Sequence, residues 1–127
     1  MNPRYPDTAA RAAHRCEYCR APEVAFNFPF EVEHVIPTNQ GGADRSENVA
    51  LSCRSCNIYK ADHLNGIDAA SGESVRLFHP RIDRWAEHFA ATDEDASGGI
   101  TPIGRATVSL FRMNSPVQVQ ARPGWRA

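Results

Sequence analysis

The sequence has no surplus of positive charge. Its 14 lysines and arginines face 15 aspartates and glutamates, for a formal net charge of −1. A sequence-independent nucleic-acid binder ordinarily carries a strong basic excess, so the overall charge gives no support to that role. Long apolar runs are lacking too. No stretch approaches the roughly 20 residues that a membrane-crossing helix needs, and the opening MNPRYPDT holds no apolar signal region. The expectation is a soluble, cytoplasmic protein with no membrane partner. No internal repeat and no long low-complexity tract is visible.

Cysteine is sparse, with four in 127 residues, but it is not scattered. The four fall into two Cys-x-x-Cys pairs, Cys16/Cys19 and Cys53/Cys56. In a reducing compartment such pairs meet metal rather than each other. Zinc takes four soft ligands in a tetrahedron, and each pair turns two thiolates toward one point. A single structural Zn²⁺ on Cys16, Cys19, Cys53 and Cys56 is expected. It would help a one-domain chain whose core is thin for its length. The stretch between the pairs is longer than in a compact zinc ribbon, so something substantial is threaded between the knuckles.

The chain reads in order as follows. Met1 to Asp7 is polar with two prolines and is expected to be a loose end. Thr8 to Arg15 suits a short helix with Asp7 or Thr8 as its N-cap. Phe26 to Pro37 alternates around Val32 and is strand-like. Thr38 to Asn48 is a loop marked by Gly41 and Gly42. Val49 to Cys53 is a second strand, and Arg54 to about His63 a short helix closed by Asn65-Gly66. Beyond it, His79 to Phe89 suggests a helix, and TDEDASGG (Thr92 to Gly99) an acidic turn. Thr101 to Asn114 suggests a helix capped by Thr101 with Pro102 at its first position. Its apolar face would be Ile103, Ala106, Leu110 and Phe111. Ser115 to Gln118 reads as a capping box. The expected class is α+β.

Five motifs, in order, carry a resemblance: CEYC, EHVIP, GG, ENVALSC and CRSCNIYK. Together they resemble the HNH endonuclease family over roughly Cys16 to Lys60. The resemblance implies a ββα-metal core of two antiparallel strands and a helix, within about residues 14–66, followed by a C-terminal extension of about 74–122 in a single domain. It implies that Glu33 and Asn57 ligate a catalytic divalent cation, Mg²⁺ or another such as Mn²⁺ or Ni²⁺. It implies that His34 is the general base, that Asn48 ties the loop to the strand and holds the His34 ring, and that Lys60 contacts a flanking phosphate of the DNA partner. The chemistry suits these residue types. Oxygen ligands suit hard cations, a cation neutralises charge on a phosphodiester in the transition state, and imidazole titrates near neutrality.

Two positions depart from the family's usual letters, Glu33 in place of Asp and Asn57 in place of His. Each residue also has an ordinary structural reading. His34 would serve as a core histidine, Glu33 as a solvated strand residue, Asn48 as a turn former, Asn57 as a helix-end hydrogen bonder and Lys60 as part of a solvated face. Their joint placement between two knuckles favours a metal-dependent endonuclease acting on DNA. The alternative is a zinc-stapled nucleic-acid-binding module with weak or no turnover. His63, just beyond the helix, is the remaining histidine within reach of a cation.

Overall fold

The protein is described by a computed structural model that covers residues 2–92 and 96–126. The acidic residues 93–95 lie outside the described residues.

The amino-terminal segment is not loose. Helix α1 spans Tyr5–Arg11, three residues earlier than the sequence suggests. Pro6 sits in its first turn, where a missing N–H costs nothing. Neither Asp7 nor Thr8 caps it; Arg4 occupies the N-cap without a side-chain bond. The helix ends where Ala13 and His14 turn to positive φ, 54° and 57°.

The central unit follows. Strand β1 (Glu31–His34) pairs antiparallel with β2 (Val49–Ser52), with Glu31 opposite Ser52 and His34 opposite Val49. The apolar run of β2 is buried along its whole length. Helix α2 (Arg54–Lys60) begins at Cys53, whose sulfur accepts from the Cys56 N–H at 3.4 Å and so takes the place of an N-cap oxygen. Between the strands, Gly41 adopts φ 91°, and a Cβ on Gly42 would fall on the Ile36 carbonyl. Both glycines are therefore dictated by the path of the loop.

The extension differs more from expectation. Asn65-Gly66 is part of a hairpin, β3 (Asn65–Ile67) with β4 (Ser74–Arg76), rather than only a helix end. The helix expected over His79 to Phe89 shrinks to one turn, α3 (Trp85–His88). The reason is Asp83. Its carboxylate takes two bonds from Arg76 (2.7 and 2.8 Å) and one from the His79 N–H (2.9 Å), which holds 79–83 in a turn. Phe89 then opens β5 (Phe89–Ala91), paired with β6 (Ser97–Gly99). Helix α4 (Pro102–Leu110) starts as read, with the Thr101 side chain accepting from the Gly104 N–H at 3.0 Å. Ala106 and Phe111 are fully buried, and Ile103 and Leu110 pack against the core. Helix α5 (Pro116–Ala121) begins at Ser115, but the capping bond does not form.

Tyr18, inside the first knuckle, stands at the centre of the core. Its ring lies 4.8 Å from Phe111 and 6.4 Å from Phe78, both from the extension. The Trp85 indole donates to the Tyr18 carbonyl at 2.8 Å, and Arg81 pairs with Glu17. The extension is thus packed onto the knuckle itself.

Candidate active site and metal centre

The four cysteines converge. Their sulfurs all lie within 4.8 Å of one another, and all four residues are buried. N–H groups of Cys19 and Cys56 point at the sulfurs of Cys16 and Cys53, at 3.5 and 3.4 Å. Burial works against charge on Cys16, but hydrogen bonds from Cys19, Cys53 and Cys56 outweigh it and hold that thiol well below its ordinary value. Hydrogen bonding to Cys16 in turn holds Cys19 and Cys56 up. A closed set of soft thiolates with local N–H donors fits a tetrahedral metal such as zinc.

The residues of the ββα unit divide between the two faces of β1. Successive strand side chains alternate, so Glu31 and Glu33 face α2 and His34 faces away from it. Glu33 is buried, hydrogen-bonded by the Tyr18 hydroxyl and paired with Lys60 at 3.3 Å. Burial pushes its carboxyl up, while Lys60 and Tyr18 pull it down. Lys60 is itself only 1 % exposed. Its ammonium faces Glu33 and the His34 carbonyl, not solvent. Asn57 donates to Glu31, not Glu33, and Arg54 lies 3.7 Å from the same Glu31 carboxylate. Glu31, Val32 and Asn57 line one cleft of 460 Å³ together with Asn2 and Tyr5.

Of the expected cation pair, Asn57 is hydrogen-bonded to Glu31, and Glu33 is bonded to Lys60 and Tyr18. The Glu33 carboxylate already has a buried ammonium and a phenol, and a cation there would have to displace them. The carboxylate that meets Asn57 is the more exposed Glu31. Asn57 meets Glu31 through its Nδ2, and both residues carry a side-chain oxygen at the wall of this cleft, the ligand type that hard cations take.

His34 lies in a different cleft. Its side chain is 30 % exposed in a hollow of 620 Å³ lined also by Asn2, Arg4, Asp7, Arg11, Asp44 and Ser46. Its Nε2 meets Asp44 Oδ1 at 3.1 Å, and among the described residues Nδ1 has no hydrogen-bond partner. Asn48 does not touch the ring. It clamps the loop, accepting from the Ile36 N–H at 2.9 Å and donating to the Ile36 and Ala43 carbonyls at 2.9 and 2.8 Å. It therefore acts on His34 only through the path of the backbone that carries Asp44.

The cleft's other wall is α1. Arg4 reaches Asp44 at the carboxylate (3.1 Å) and the carbonyl (2.6 Å). Arg11 donates to the Ser46 carbonyl (2.9 Å) and the Val49 carbonyl (2.7 Å). Sequence reading missed Arg4, Arg11, Asp44 and Glu31. The one signal for the arginines was their spacing of seven, two helical turns, which sets both on one face. His63 lies elsewhere, in an apolar pocket of 320 Å³ with Ile36, Leu77 and His79. His14 is bonded to Glu23, and His88 to Thr101.

Comparison with protein families gives one match, the HNH endonuclease, over residues 16–63. The matched segment runs from the first knuckle through β1, β2 and α2 to His63. No curated protein and no solved structure matches the chain. No helix among the described residues is long and apolar enough to cross a membrane.

Proposed function

The chain carries an HNH endonuclease domain at residues 16–63, and from that premise we propose that it hydrolyses phosphodiester bonds in DNA, with His34 as general base. The observation that supports this most is the His34 ring itself. It is set in an open cleft, fixed at one nitrogen and free at the other. A general base needs that arrangement, one nitrogen oriented and one available to water. A structural histidine would use both. Two arginines and two aspartates line the cleft, Arg4 paired with Asp44, so Arg11, which has no carboxylate partner among the described residues, is the group that would meet a phosphate, the contact that resemblance assigned to Lys60.

A divalent cation, when bound, supplies neutralisation of charge on the phosphate and the leaving oxygen. Glu31 and Asn57 are the residues that would hold it. Glu33 serves instead to keep Lys60 paired, and the Glu33–Lys60 pair holds α2 against β1. Zinc at the four cysteines has a structural role only.

The test is incubation of the purified protein with plasmid and single-stranded DNA in Mg²⁺, Mn²⁺ or Ni²⁺. EDTA should abolish cleavage, and His34→Ala should lower it by about 10²-fold or more while leaving the fold intact. The second reading, a zinc-stapled binding module, draws on the net charge of −1 and on the sequestered Lys60. DNA binding that is equal with and without His34, and no cleavage with any cation, would establish it in place of the first.

A further inference from the structure

Among the described residues, Asp44 is the one hydrogen-bond partner of the His34 ring. We propose that Asp44 is a positioning residue: its carboxylate, held by Arg4, fixes the His34 ring so that Nε2 carries the hydrogen and Nδ1 presents a bare lone pair to the cleft. The inference deepens the proposed nuclease reading and rests on it for its catalytic meaning.

The argument begins with what each group can donate. An ionised carboxylate only accepts. Asp44 is held ionised, below the usual carboxylate range, first by the His34 hydrogen bond and then by Arg4. The Nε2 that meets its Oδ1 at 3.1 Å must therefore be the donor. In a neutral imidazole the other nitrogen is then the acceptor. Nδ1 has no partner among the described residues, so its lone pair is open to a water in the cleft. On proton transfer, the water gives its proton to Nδ1, the ring becomes an imidazolium, and Asp44 offsets the new charge across the ring.

Asp44 is in turn not left to wander, although it is exposed. The Arg4 guanidinium bonds Oδ1 through Nε and the Asp44 carbonyl through Nη2, gripping the residue at side chain and backbone together. The Asn48 clamp on Ala43 sets the preceding residue. The chain of bonds runs from Arg4 at the start of helix α1 through the loop to the ring, and the Arg4–Asp44 link was hidden from sequence because its partners are 40 residues apart.

Both donors, Arg4 Nε and His34 Nε2, meet the same oxygen, Oδ1. An amide that keeps Oδ1 keeps both bonds. Asp44→Asn should therefore preserve the ring's orientation, whereas Asp44→Ala should release it. Two measurements on the full chain decide the matter. The first is the tautomer of His34, read from nitrogen-15 and proton correlation of the imidazole at mildly alkaline pH. The parent and Asp44→Asn should show a single Nε2–H form, and Asp44→Ala a mixture. The second is cleavage. Asp44→Ala should lower kcat by about tenfold or more, as small misplacements of a reacting group do, with KM changed much less, and Asp44→Asn should recover most of it. An Nδ1–H tautomer in the parent overturns the proposal, as does an Asp44→Ala protein whose tautomer is unchanged. If the tautomers behave as expected but the parent cuts no DNA, the nuclease reading fails and the positioning of the ring stands.

Discussion

At the scale of single residues, the sharpest distinction lies between the two glutamates of β1. They point the same way and differ by one pleat, yet one faces Asn57 and the other is sealed against Lys60 and Tyr18. Removing one member of a buried pair leaves the other charge uncompensated, a loss of about 3–5 kcal/mol, while removing both can be nearly neutral. Lys60→Met should therefore lower the urea midpoint sharply, and Lys60→Met with Glu33→Leu should regain most of it. A single variant as stable as the parent would contradict the pairing. Glu31→Ala should behave in the opposite manner. It should leave stability near the parent's but shift the Mg²⁺ concentration needed for cleavage upward, with recovery at high Mg²⁺. If Glu33→Gln, and not Glu31→Ala, shows that metal-dependent recovery, the cation belongs to Glu33.

At the scale of elements, the extension is held by apolar contacts together with buried carboxylates, Glu17 against Arg81 and Asp68 against Arg105. Asp68, in the β3–β4 turn, receives two bonds from Arg105 of α4 at 2.7 and 3.1 Å, plus the Ser71 hydroxyl and the Ala70 N–H. The Asp68 side chain has no solvent exposure. The Arg105 bond, first among these, drives its carboxyl far below the usual range. A lowered native value means that the unfolded chain binds the proton more readily. The stability contributed is thus fully present above the ordinary carboxylate pKa and is lost as pH falls toward the native one. Arg105→Met should flatten that part of the acid-unfolding profile; an unchanged acid limb would show that the pair does not couple the hairpin to α4. Such an ion pair was out of reach of sequence reading, since Asp68 and Arg105 offer no pattern that links them. The same holds for the hairpins. Short strands such as Ser97–Gly99 have no periodicity to display, and the Asp83 turn overrides a helical-looking run. What was legible was local: the two knuckles, a strand around Val32, the Thr101 cap with Pro102, and the apolar face of α4; the strand itself is shorter than Phe26 to Pro37 and buries Glu33 rather than Val32. The ordered motifs located His34, but which side of β1 it faces, and what meets it there, depends on the fold.

At the scale of the whole molecule, the knuckle is the point at which the parts meet. Tyr18 lies between Cys16 and Cys19 in sequence and against Phe78, Phe111 and Trp85 in space. Loss of metal should not be confined to the ββα unit. One zinc per chain is expected, and Cys53→Ser should lose both the metal and the cooperative transition, because binding free energy at a structural zinc site is folding free energy. A Cys53→Ser protein with unaltered thermal unfolding would count against that role. Truncation after Gly99 removes Phe111 and Met113, both fully buried, and should weaken zinc retention as well as stability. A truncated chain that keeps its zinc and its melting temperature would mark the tail as an appendage.

The knuckle's position also orders events in time. Its two halves are far apart along the chain, and the metal can tie the long loop between them. Tyr18, between two of the ligands, is the surface on which Trp85 and Phe111 rest in the folded protein. Refolding from the chelated, unfolded chain should therefore be gated by metal encounter. The observed rate should rise with zinc concentration until ligation ceases to limit it, and tryptophan fluorescence should follow with no faster phase. A burst of tryptophan burial ahead of zinc uptake would show that the extension can find its place unaided.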